Sequence, residues 1–167
     1  MIFVKKNVKR ISIRINDNLE AVVTYPLLFP KRKAEKFARK NEAWINNAIN
    51  EKRAFQEAHY CENVTSDEAK KKLIEIATPM LKYWETVTGL KAKKLRARYM
   101  TTRWGSYSRK TGAITLSTQL LGFDEEVINY IVLHELAHVK YPNHGADFKF
   151  FVAKYMPNWK EHRASLH

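Results

Sequence analysis

The chain has 167 residues, of which 45% are hydrophobic and 12% aromatic, a composition that excludes a disordered chain and makes one compact soluble unit the default. Its single cysteine, Cys61, excludes an internal disulfide framework and a cysteine-rich metal site, so histidines and carboxylates must hold any metal. The net charge of +13 makes phosphate backbones and acidic protein surfaces the electrostatically favoured partners, while the lack of a signal-like or membrane-length apolar run points to a cytoplasmic protein without a membrane partner.

In chain order, Arg10–Ile15 alternates apolar and polar residues, Asn16–Asn18 reads as a turn, and Glu20–Tyr25 is rich in strand formers, together predicting a β-hairpin. Pro26 and Pro30 end it. From Lys31 to about Phe55, residues Ala34, Phe37, Ala38, Trp44, Ile45, Ala48 and Ile49 form one apolar stripe, which predicts an amphipathic helix with Trp44 in the core. Gln56–Asn63 has no period and reads as a linker between a region 1–60 and a region 64–167. Thr65-Ser-Asp-Glu68 is a capping box opening a helix that Gly89 closes, and Pro79 inside it predicts a kink or a division.

Residues 86–123 carry no acid, whereas Lys91, Lys93, Lys94, Arg96, Arg98, Arg103, Arg109 and Lys110 are basic. Lys93, Lys94, Arg96 and Arg98 are therefore the candidate nucleic-acid contacts, although a solvated strand face has the same composition and no recognised reader motif accompanies them. Leu95, Ala97 and Tyr99 alternate with polar residues as a strand leading into Thr102–Ser108. Ala113–Ser117 reads as a second strand just before the next helix, and its free edge is expected to be open for pairing with an extended peptide beside that helix.

Asp124 then opens a helix with Glu125 and Glu126 in its first turn and Val127, Ile128, Ile131, Val132 and Leu136 at helical spacing. This helix carries His134-Glu135-Leu-Ala-His138. Four residues on a helix amount to about 40° of rotation and roughly 6 Å of rise, so His134 and His138 share a face and can share one zinc ion. Glu135 is offset by about 100°, beside the metal, where its carboxylate can take a proton from a metal-activated water. A catalytic zinc needs a third protein ligand, and Tyr141-Pro-Asn-His144 supplies His144 after Pro142 stops the helix; Asp147 and Glu161 are the carboxylate alternatives. The spacing of the three histidines matches HExxHxxGxxH, with Tyr141 in place of the glycine. Beyond them, Phe148, Phe150, Phe151, Val152 and Tyr155 predict an aromatic helix packed behind the zinc helix.

Thr102-Arg-Trp-Gly-Ser106, the HELAH helix, Pro142-Asn-His144 and the closing Met156-Pro-Asn-Trp-Lys-Glu-His162 together resemble the YgjP-like zinc metallopeptidase domain family, which is related to SprT-type proteases. The basic hairpin and the Trp44 helix resemble that family's N-terminal region as well. The resemblance implies an α+β, zincin-like fold with a small mixed sheet beside the HExxH helix, one Zn2+ per chain on His134, His138 and His144, and Glu135 as catalytic base. The family usually has Cys where this chain has Tyr107.

The residues thus point to a zinc-dependent, endopeptidase-like hydrolase acting on a peptide or protein. Tyr141, Arg103, Tyr107 and Tyr155 are candidates for the donor that a tetrahedral oxyanion needs or for substrate contacts, with a structural role for Arg103 and Trp104 at the Gly105 turn as the plain alternative. Two other readings compete. In one, a nucleic-acid-associated zinc protein acts on or binds DNA-bound proteins with little general proteolysis; in the other, a structural zinc is closed by a fourth ligand such as Asp147.

Overall fold

The computed structural model describes residues 1–59 and 63–166, and the chain divides into two units, Met1–Tyr60 and Cys61–His167. The linker expected at Gln56–Asn63 falls partly outside the described residues, because 60–62 are not among them.

In the first unit, β1 (Ile2–Lys6), β2 (Ser12–Ile15) and β3 (Ala21–Pro26) form a sheet in the order β1-β3-β2. The predicted hairpin is the antiparallel β2–β3 pair, in register Ser12 with Thr24 and Ile15 with Ala21. Its turn closes through the Asn16 side chain, which accepts from the Glu20 N–H at 2.7 Å, and Leu19 takes a positive φ of 59°. β1, which the sequence reading did not separate from the N-terminus, runs parallel to β3 on the other side. Val23, Tyr25, Ala34 and Ala38 form the small core.

The single helix expected over Lys31 to about Phe55 is two, α1 (Lys31–Lys40) and α2 (Glu42–Ala58). Asn41 makes the break: its side-chain amide donates to the Phe37 carbonyl at 2.8 Å, satisfying a carbonyl at the end of α1. The polar Asn41 sits between the buried Ala38 and Ile45 in the apolar stripe. Trp44, expected in the core, is instead 51% exposed, because it follows that break. Lys52 on α2 ties the unit together by pairing with Asp17 at 2.8 Å and donating to the Ile15 carbonyl at 3.2 Å.

In the second unit, α3 (Asp67–Thr88) starts one residue later than the capping box implied. Ser66, not Thr65, is the cap, its hydroxyl accepting from the Ala69 N–H at 3.1 Å. Gly89 ends the helix in the left-handed region at φ 73°, as expected. Pro79 does not divide α3. The helix continues through it, with Leu73, Ala77, Leu81 and Trp84 buried on both sides of the proline.

β4 (Lys94–Arg98), β5 (Gly105–Ser108) and β6 (Ala113–Ser117) form the second sheet in the order β4-β6-β5. β6 is therefore the central strand, parallel to β4 and antiparallel to β5. That overturns the expectation of a free edge at Ala113–Ser117: both edges are paired and Ile114 is wholly buried. The edge beside the cleft belongs to β5, whose Gly105-Ser-Tyr-Ser108 lacks the β-branched residues that would mark a strand. Ser117 helps place this segment, its hydroxyl donating to the Met100 carbonyl at 3.0 Å and its N–H to the Trp104 carbonyl at 2.8 Å.

A 3-10 turn (Thr118–Gly122) leads to α4 (Glu125–Ala137), followed by α5 (Ala146–Tyr155) and α6 (Trp159–Ala164). Asp124 is the N-cap residue of α4 by position, but its side chain makes no capping bond. Val127, Ile128, Ile131, Val132 and Leu136 are all buried, and Trp84 of α3 donates from its indole to Asn129 of α4 at 2.6 Å. This bond lets the large ring be buried without an orphaned N–H. On α5, Phe148, Phe151 and Val152 are buried as expected, whereas Phe150 points outward at 74% exposure because it lies on the opposite face of the helix.

Candidate metal centre and active site

The i, i+4 spacing on α4 brings His134 and His138 to one face, with ring centroids 5.2 Å apart. His144 approaches from the connection to α5, its Nε2 2.9 Å from that of His134. One candidate ligand atom from each of the three lies within 4.8 Å of the others. Among the described residues this group contains neither Asp147 nor Glu161, and no fourth protein ligand joins it.

The three imidazoles fit a metal ion in tautomer as well as in position. His138 Nδ1 can only donate to the Tyr141 carbonyl, at 2.8 Å, which leaves Nε2 with its lone pair for a cation. His134 Nδ1 lies 3.3 Å from the Tyr130 hydroxyl, which accepts its proton when Nε2 faces the cluster. Burial pulls His134 down to about 3, and the neighbouring His138 and His144 add to the shift; burial also lowers His144. Both rings are thereby held neutral, the form that ligates a metal. Such a donor set with three nitrogens and no closing fourth side chain suits zinc.

Phe148 supplies a part of the site that its spacing disguised as simple core. Its ring centroid is 4.9 Å from those of His134 and His138 and 4.8 Å from that of His144, so one buried aromatic side chain packs against all three histidines. A wall of this kind restricts their rotamers and excludes water. Only the position of Phe148, four residues after His144, hinted at the contact.

Glu135 is 6% exposed and faces β5. Burial pushes its carboxyl up to about 7, opposed by a hydrogen bond from the Tyr107 N–H and by the Arg103 guanidinium. A carboxyl with that affinity for protons can accept and release one near neutrality. Gly105 explains how it fits: a Cβ there would stand 2.7 Å from both Cγ and Oε1 of Glu135, closer than real atoms pack. The requirement for glycine is steric and belongs to the approach of the Glu135 side chain.

His134, His138, His144, Glu135 and Gly105 line a cleft of about 640 Å³ together with Arg103, Tyr107, Arg109, Tyr130 and Arg163. Of the four candidate oxyanion or substrate contacts, the cleft contains Arg103 and Tyr107 but neither Tyr141 nor Tyr155. Tyr141 contributes its backbone carbonyl to His138 while its ring packs on Phe151, and Tyr155 packs between Phe151 and Trp84. Trp104 also lines the cleft and packs edge-on against Phe123 at 5.0 Å. Tyr130 was missed because its helix position reads as core; it is buried at 2% exposure yet reaches the cleft and His134. Lys93, Lys94, Arg96 and Arg98 do not line the cleft. Along β4 the exposed Lys94, Arg96 and Arg98 alternate with partly buried Leu95 and Ala97, a charged edge that discourages pairing with another chain's strand.

Residues 55–167 match the family described as YgjP-like, metallopeptidase domain. The chain belongs to that family. Its fold is similar to the crystal structure of the metallopeptidase zymogen of Pyrococcus abyssi abylysin, with 29% identity and a TM-score of 0.50, over 54% of this chain and 90% of the other. The metallopeptidase zymogen of Methanocaldococcus jannaschii jannalysin matches at 25% identity and a TM-score of 0.48, over 53% of this chain and 91% of that one. No curated protein matches the chain. Membership makes the chain a metallopeptidase at family level, with peptide or protein substrates and, with the three-histidine cluster, a metal requirement for which zinc is typical. Among the described residues, no helix is long and apolar enough to cross a membrane.

Proposed function

We propose that the chain is a zinc-dependent endopeptidase in which His134, His138 and His144 hold the ion and Glu135 is the general base. The observation that carries this reading is the convergence in one cleft of three neutral-tautomer imidazoles and a buried carboxylate. Zinc, when bound, supplies Lewis acidity that polarises a scissile carbonyl and acidifies water.

The chain's own residues do the rest. Glu135 takes the proton from the attacking water and delivers it to the leaving amine, and its raised proton affinity suits both steps. Tyr107 N–H and the close approach of Gly105 hold the carboxylate in place. The Tyr130 hydroxyl keeps its proton, since burial raises its pKa, and it is a candidate oxyanion donor alongside Arg103. The outer edge of β5, rather than β6, is the strand against which an extended peptide would lie.

Zinc content and cleavage of a peptide library, measured side by side for the wild type and Glu135→Gln, test this reading. The expected result is zinc in both and a loss of kcat of at least about 10²-fold in the variant. Equal cleavage by both proteins would overturn the role of Glu135, and a wild type that neither retains zinc nor cleaves would overturn the function.

A further inference from the structure

The charged side chains lining the cleft are unevenly chosen. Among the described residues three are arginines, Arg103, Arg109 and Arg163, and Glu135 is the only acid. Arg103 lies just before β5 and Arg109 just after it, so a guanidinium stands near each end of the strand beside the cleft. Arg163 comes from a different element, α6, which packs on α4. All three are exposed, and the ion pairs among the described residues, Lys31 with Glu35, Lys52 with Asp17 and Lys70 with Asp67, engage none of them. The fields of two reach the reacting groups: Arg103 stabilises the Glu135 carboxylate, and Arg163 disfavours charge on His134 and His144.

We infer that the cleft selects peptides bearing a carboxylate close to the scissile bond, with Arg163 and Arg109 as its receptors. This deepens the proposed function and rests on the cleft being where peptides are hydrolysed. A guanidinium presents a planar fork of donors that matches a carboxylate in two parallel bonds, and among the described residues no carboxylate forms an ion pair with these forks. Glu135 cannot neutralise three cations. An acidic peptide therefore finds complementary charge in the cleft, whereas a lysine at the same position meets repulsion. The recognised carboxylate can come from an Asp or Glu side chain or from the C-terminus of the substrate.

The test uses zinc-loaded full-length chain and fluorogenic peptides of one sequence, in which Glu, Gln or Lys is moved through each position flanking the cleaved bond. Each peptide is made as a C-terminal acid and as an amide. Wild type gives kcat/KM, and Glu135→Gln gives Kd by fluorescence anisotropy, a reading independent of turnover. At one position Glu should exceed Gln by about tenfold, as expected of one charge-assisted bond, and the advantage should shrink as salt is raised. Arg163→Gln or Arg109→Gln should bring Glu and Gln to within about twofold; both side chains are exposed, and far-ultraviolet circular dichroism would verify that the variants fold.

A preference carried only by the acid-over-amide pair would support the inference and assign the carboxylate to the substrate C-terminus; one carried by side-chain Glu assigns it to an acidic residue. Cleavage indifferent to Glu, Gln, Lys and the terminal group would overturn this inference while leaving peptide hydrolysis standing. Failure of the wild type to cleave any peptide would overturn the peptidase reading and this one with it. Displacement of the Glu peptide by duplex DNA, lost in Arg163→Gln, would overturn it in favour of nucleic acid in the cleft.

Discussion

The two sheets of this chain share one plan. In each, the last strand in sequence lies in the centre, parallel to the first strand and antiparallel to the second, as β1-β3-β2 and as β4-β6-β5. Among the described residues, only the second borders the cleft that holds the three histidines. Helices accompany both sheets, but the second unit places β5 against a helix that carries a buried carboxylate, and its strand has a glycine where that carboxylate must fit. The first unit has a small core and leaves Leu28 fully exposed, with Leu27 and Trp44 about half exposed. Strand order therefore says little about function; the side chains that two elements bring to their contact say nearly all of it.

If the difference lies at the contact between β5 and α4, breaking that contact should have the largest effect. Gly105→Ala is expected to push the Glu135 carboxylate aside and lower kcat by about 10²-fold, since a displacement near 1 Å can cost that much, while zinc content stays unchanged. Adding Gly105→Ala to Glu135→Gln should cause little further loss, because both act through one carboxylate. Additive losses would mean that Gly105 matters for some other reason.

A smaller effect should follow from the support of the histidines. Tyr130→Phe removes the hydroxyl partner of His134 Nδ1 and should weaken zinc binding by about tenfold, measured by competition with a chromogenic chelator. His138 takes its partner from a backbone carbonyl and has no equivalent side-chain substitution. Unaltered affinity in Tyr130→Phe would show that packing by Phe148 suffices to orient His134.

The smallest effect is expected in the first unit. Trp44→Ser should change unfolding stability in urea by no more than about 0.5 kcal/mol, as for other exposed positions. A loss several times larger would mean that Trp44 is covered in solution and would make the two units less different than their burial indicates.

Much of the site was legible because its central geometry is local. A helical period fixes His134, Glu135 and His138 relative to one another whatever the rest of the chain does, and a proline soon afterwards allows His144 to turn back. Local chemistry also revealed the β2–β3 turn and the Gly89 cap, and it misplaced the start of α3 by one residue because Thr65 and Ser66 are both competent caps. The break at Asn41 was visible as a polar residue in an apolar stripe, but the stripe on either side was read as continuous.

What the sequence by itself determined, then, is how one helix and the connection after it bring three histidines together beside a glutamate. Tertiary structure alone decided that β6 is central and β5 the edge, that Gly105 and Tyr107 receive Glu135, that Phe148 packs on three imidazoles, and that Arg163 faces the same cleft as Arg103. The reason is physical: these contacts join residues far apart in the chain, and the periodicities that reveal a helix or a strand contain no information about which face of another element will meet it.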